Sequence, residues 1–168
     1  MHAEAQHLID KLNLAPHPEG GYFRETYRSP INVPNDKLPA QFRGDRALAT
    51  AIYFLLTDQD FSAFHRLKQD EIWHFHTGAT VFLRCFTPKG EMQTMALGSD
   101  LEQGAEPQHI VPGGWTFGAH LSGGPGYALV SCTVAPGFEY DDFELLSRGK
   151  LLQLHPEHAD IIKQLTKD

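Results

Sequence analysis

The 168-residue sequence predicts a single all-β domain, a sandwich or barrel, with one short helix at each end. Three observations carry this. Apolar or alternating runs of strand length recur at short intervals from Ala47 onward, separated by Gly- and Pro-containing turns. Helical spacing of apolar residues is confined to the two ends. No repeat, low-complexity tract or linker divides the chain, whose length suits one folding unit, so residues 1–168 are read as one domain.

The elements follow in order. Ala3 to Leu14 sets Leu8, Ile9 and Leu12 at helical spacing, and Pro16 and Pro18 stop it. Gly20-Gly21 releases Tyr22 to Tyr27, an aromatic, alternating run that reads as a strand. Arg28 to Asp45, with prolines at 30, 34 and 39, reads as a long loop or arm, a lid or a subunit contact. Strands are then expected at Ala47–Leu56, Phe61–Leu67, Glu71–Thr77, Thr80–Phe86, Glu91–Leu97, Gln108–Val111, Trp115–His120 and Gly126–Ala135. Thr87-Pro88-Lys89-Gly90 supplies a hairpin turn, because proline presets φ and glycine tolerates positive φ. Asp141-Asp142 and Glu144 read as a solvated charged turn. The tail returns to helix, with Pro156 at its start and Ala159, Ile162 and Leu165 on one stripe.

Composition excludes several classes of partner. Lys+Arg 14 against Asp+Glu 21 gives a net charge of −7, which argues against nucleic acid and against an anionic membrane surface. No apolar run approaches the ~18–20 residues of a membrane-spanning helix. The polar start Met-His-Ala-Glu-Ala-Gln-His carries no signal-peptide pattern. Cys85 and Cys132 lie inside apolar runs, as expected of buried thiols in a reducing compartment, and a cytoplasmic location is expected.

Ten histidines are the unusual feature of the composition. The informative stretches are Phe61 to Gly78, with His65, Glu71, His74 and His76, and Glu106 to His120, with Pro112, Gly114 and Phe117. Together they resemble the two signature motifs of the cupin superfamily. His65, Glu71 and Gly78 match the first motif, and Pro112 and Gly114 the second, whereas Leu67 and Phe117 stand where two metal-binding histidines belong. Four further segments, His17 to Tyr22, Ser62 to Leu67, Asp70 to His76 and Ala135 to Tyr140, are similar to the uncharacterised Cupin-5 group. This resemblance implies a double-stranded β-helix, or jelly-roll, barrel with a pocket between its sheets, commonly as a homodimer.

Strand alternation puts Glu71, Trp73, Phe75 and Thr77 on one face and Ile72, His74 and His76 on the other. If the resemblance holds, His65 and Glu71 point into the barrel beside Trp73, Phe75 and Phe117, while His74 and His76 face a second sheet or a partner subunit. With two of four ligands replaced by Leu67 and Phe117, no bound metal or other cofactor is expected. The metal-free alternative makes His65 a general base and Glu71 its orienting carboxylate, similar to the metal-free epimerases of the superfamily. Such an enzyme also needs an acid, and neither Tyr127 nor Tyr140 aligns to one. Arg24 and Arg84 are candidates for binding a ligand phosphate or carboxylate, and Ser62, Trp73, Phe75, Trp115 and Phe117 for lining the pocket. His17, between two prolines, could sit in a turn that brings Glu19 and Arg24 toward the pocket mouth. The expected function is binding of a small polar or carbohydrate-like molecule, with isomerase or epimerase chemistry. A non-catalytic binding protein and a metal-dependent enzyme with a rebuilt site are the alternatives.

Overall fold

The computed structural model describes residues 2–123 and 126–167. Helix α1 (Ala3–Leu12) begins at His2, whose ring accepts the Glu4 N–H, and ends at Asn13 in the left-handed region. Its Ala5, Leu8, Ile9 and Leu12 pack with Leu14 on Leu55 and Leu129, so the apolar stripe read from the sequence covers the outer side of a sheet. Strands β1 (Ala15–Pro16), β2 (Tyr22–Arg28), β3 (Asn32–Val33), β4 (Arg46–Ala47), β5 (Thr50–Thr57), β6 (Ser62–Leu67) and β7 (Asp70–Gly78) follow. Next come β8 (Val81–Phe86), β9 (Met92–Leu97), β10 (Gln108–Val111), β11 (Thr116–Leu121), β12 (Tyr127–Ala135) and β13 (Phe143–Leu145), then helices α2 (Arg148–Leu154) and α3 (Ala159–Gln164).

Two antiparallel sheets face each other, in the orders β1-β2-β5-β12-β7-β10 and β13-β6-β11-β8-β9. Their inner faces alternate as the sequence requires: Phe54 and Leu56, Trp73, Leu83 and Cys85, Phe117 and Ala119, and Val130 and Cys132 meet in one buried core. A second cluster, Phe64 and Phe86 with Leu146, Leu151, Ile162 and Leu165, seats α2 and α3 on the outer side of the smaller sheet. The Thr87–Gly90 turn closes the β8–β9 hairpin with a Gly90 N–H to Thr87 bond of 2.9 Å, as its composition predicts. Cys85 and Cys132 are both free and buried.

Besides the added helix α2, three segments depart from the sequence reading. The run Ala47–Leu56 is broken at Leu48-Ala49, because the chain changes partners there, from β3 (through β4) to β2 (through β5). The Arg28–Asp45 segment is no free arm: β3 pairs with β4, and the Arg46 guanidinium donates to the carbonyls of Arg43, Gly44 and Asp45. Asp142 is not a solvated turn residue either. It is 4% exposed and held by Arg46 Nε at 2.7 Å and Nη2 at 2.8 Å, by Lys68 Nζ at 3.1 Å and by Gln69 Nε2 at 2.7 Å. Burial alone would push this carboxyl up, but the bonds from Arg46, Lys68 and Gln69 outweigh it and keep it below the usual carboxylate range. The clamp directs the chain into β13, which pairs with β6 and sets Leu145 opposite His65.

Candidate functional site

At one end of the barrel the sheets enclose a cavity of about 270 Å³. Its walls are mostly apolar and aromatic: Phe23, Phe54, Trp73, Phe138, Tyr140 and Phe143, with Ile52, Leu67 and Val134. Into it project His17, Glu19, His65 and Glu71, and at its rim stand Glu25, Arg28 and Glu139.

Glu19 owes its position to the turn before β2. His17 N–H bonds to Gly21 O at 2.9 Å and Gly20 N–H to His17 O at 3.0 Å, while Asp60 accepts the Gly21 N–H at 2.7 Å. Gly20 has φ +118°, and a Cβ there would run into the Phe61 carbonyl oxygen. The turn is fastened to β6 by a bond from Ala63 N–H to Glu19 O at 2.9 Å. Gly20→Ala should therefore cost at least ~1–3 kcal/mol and draw Glu19 away from β6. Urea unfolding checks this, and an unchanged midpoint would contradict it.

Within the cavity the Glu19 carboxylate accepts the Ser62 hydroxyl at 2.8 Å through Oε1, and its Oε2 lies 3.3 Å from His65 Nε2 and 3.5 Å from His17 Nδ1. His65 Nδ1 is 2.7 Å from the Ala63 carbonyl, which can only accept, so Nδ1 carries a proton. Nε2 is then the acceptor nitrogen and faces the Glu19 carboxyl. Burial raises the Glu19 carboxyl and lowers the His65 imidazole. His17 is lowered too, by burial first, against the opposing pull of Glu19.

Glu71 is different. It is 7% exposed, and its Oε2 finds no hydrogen-bond partner among the described residues. Neither does the neighbouring Trp73 Nε1. Burial pushes this carboxyl up to about 7; Glu19 reinforces the rise, and His65 and the side chains of Cys132 and Trp73 oppose it. A carboxyl at that value exchanges protons readily near neutral pH.

The sequence-predicted residues divide. His65, Glu71 and Trp73 line the cavity, and Ser62 sits behind Glu19. Phe117 lies beneath the His65 ring at a centroid distance of 4.2 Å, in the core and not on the cavity wall. Phe75 and Trp115 pack on the same core away from the cavity. Arg24 lies on the opposite face of β2 from Phe23 and Glu25, over the Tyr53 ring. Arg84 also faces outward, because Val81, Leu83 and Cys85 hold the inner face of β8; it bonds His120 at 3.2 Å and Thr94 at 2.8 Å. Neither arginine reaches the cavity. His74 and His76 face away from it, on Thr133 and Ser131 of β12. Tyr140 lines the mouth, whereas Tyr127 packs beside α1.

The sequence reading missed Glu19 as the direct partner of His65, along with the rim formed by Arg28 and Glu139. Arg28 holds both Glu25 oxygens at 2.9 Å and Glu139 Oε1 at 2.7 Å. The available signal for Glu19 was the Gly20-Gly21 pair, which marks a turn tight enough to direct a neighbouring side chain inward.

These residues do not fit a metal ion. Leu67 on the same wall offers no donor beside His65. Among the described residues no group of three or more His, Cys, Asp or Glu is arranged to hold one.

Comparison with known proteins agrees with this architecture. A structure of protein SO0799 from Shewanella oneidensis superposes with a TM-score of 0.87 at 40% identity, covering 97% of each chain. A hypothetical protein from Leishmania major superposes at 0.86 and 37% identity, over 98% of this chain and 99% of that one. An uncharacterised protein of Saccharomyces cerevisiae, YML079W, is 32% identical over 150 residues, 84% of this chain and 74% of the yeast protein. Oxalate decarboxylase from Bacillus subtilis shares the fold alone, at a TM-score of 0.54 and 14% identity over 36% of its length. The model of the Cupin_5 family, cupin superfamily (DUF985), matches residues 6–146, and the chain belongs to that family.

Proposed function

We propose that this cupin binds a small organic molecule in its barrel and moves a proton on it, in chemistry of the isomerase or epimerase type. The observation that carries this is Glu71: a buried carboxyl with an unpartnered oxygen in an aromatic cavity, near a second carboxyl that faces an imidazole at 3.3 Å. Glu71 takes or returns a proton at the ligand. The Glu19–His65 pair is the second donor, held by Ser62 and the Ala63 carbonyl. His65 thus acts with Glu19, and the acid–base role at the ligand passes to Glu71.

Anionic ligands are disfavoured. Arg28 is the one Lys or Arg among the lining residues, and both edges of its guanidinium are taken by Glu25 and Glu139. Deuterium uptake at a carbon next to a carbonyl, followed by NMR across a panel of small ketones and lactones, tests the reading. Uptake by the wild type and at least a hundredfold loss in Glu71→Gln is the expected result, since general acid–base catalysis contributes about 10²–10⁴-fold. Ligand-induced stabilisation without exchange would make the chain a binding protein only, which the largely apolar wall also suits.

The same reading places the chain in the cytoplasm as a homodimer. Among the described residues no helix is long and apolar enough to cross a membrane. Sedimentation equilibrium should give twice the chain mass of 18.8 kDa; a single chain mass would overturn the dimer.

A further inference from the structure

The cavity combines aromatic walls with more carboxyls than cations. Glu19 and Glu71 lie inside it and Glu25 and Glu139 at its rim, against Arg28 on the wall and Lys167, which acts on Glu19 and His17 from outside it. His17 and His65 do not redress the balance, since burial favours their neutral forms. Trp73 lies on the wall next to Glu71, and Phe138, Tyr140 and Phe143 close the opposite side, with Phe138 and Tyr140 edge-to-face at 5.1 Å. Aromatic faces attract cations through the ring quadrupole, most strongly where water is excluded. An anion would meet carboxylates there, and a neutral molecule would leave the Glu71 carboxylate as uncompensated as it is now.

Building on the reading that the cavity takes a small organic molecule, we propose that its ligand carries a positively charged nitrogen, a protonated amine or quaternary ammonium. The nitrogen is seated between the unpartnered oxygen of Glu71 and the rings of Trp73, Phe138, Tyr140 and Phe143. Such a group supplies the counter-charge the buried carboxyls lack. A quaternary nitrogen has no N–H to satisfy, so carboxylates and ring faces are the partners it needs.

Isothermal titration at pH 8 with three isosteric probes tests this: choline, neutral 3,3-dimethylbutan-1-ol and anionic 3,3-dimethylbutanoate. Choline should bind about tenfold or more tighter than the alcohol, and the anion not at all. Glu71→Gln should remove most of that preference. Tyr140→Leu, at a 53% exposed position, should weaken choline several-fold more than it weakens the alcohol. Choline affinity should also rise between pH 6 and 8 as Glu71 ionises. The groups facing Glu71 are Trp73 on its own strand, Cys132 on β12, His65 on β6 and Glu19 from the turn. Equal or tighter binding of the alcohol or the anion would overturn the cation assignment. If deuterium exchange persists in that case, the cavity reading stands and only the cation falls; if no probe binds and no exchange occurs, both fall.

Discussion

Replacing Glu71 by Gln is expected to stabilise the fold at pH 8 by about 3 kcal/mol while changing it little at pH 4. The folded-state carboxyl titrates at about 7 against an ordinary value of 4.5. Below the ordinary value both states hold the proton, and the carboxyl costs nothing extra. As pH rises toward 7 the unfolded chain gives its proton up and the folded chain keeps it, so the wild type loses stability; above 7 the loss is complete. The amide carries no charge to desolvate, so the variant escapes this term. Glu19, also raised by burial, is present in both proteins. Urea unfolding of both from pH 4 to 9 reads the difference, and a gap that does not widen with pH would refute the buried, uncompensated carboxyl. A gain in stability that accompanies a loss of proton transfer is what a site holding an unfavourable group should show.

Asp142→Ala should act in the opposite direction, lowering the unfolding free energy by about 3–5 kcal/mol. The guanidinium of Arg46 is buried, at 3% exposure, and would be left without its carboxylate. Lys68 and Gln69 would lose the same acceptor. The double replacement Arg46→Met with Asp142→Leu should recover much of this, because it removes the uncompensated charge as well as the pair. Should the single substitution cost less than ~1 kcal/mol, the clamp would belong with surface ion pairs.

The strands were legible because each obeys a local rule. Glu71 and Trp73 alternate with Ile72 and His74, which puts the first two on one face, and the family resemblance turns that face inward. Local rules fail where a partner is remote in sequence. Glu19 meets His65 across the barrel end, so the nearer Glu71 looked like its companion on the page. Asp142 finds Arg46 ninety-six residues away, and without that pairing an Asp-Asp sequence is read as solvent-facing. Arg84 shares a strand face with Phe82 and Phe86, and Phe86 is buried under α2 and α3 on the outer side. Two buried surfaces on one strand cannot be told apart by periodicity. The helix α2 went unpredicted because its seven residues are too few for periodicity to stand out, although Ser147 caps it by accepting the Lys150 N–H.

The Arg46–Asp142 clamp has a consequence for kinetics. It anchors the backbone immediately beside Tyr140 and Phe143, while Arg28 binds the Phe138 carbonyl and Glu139 from the other side. The main chain at this end of the barrel is thus tied from both sides, which leaves side-chain rotation as the cheapest motion at the mouth.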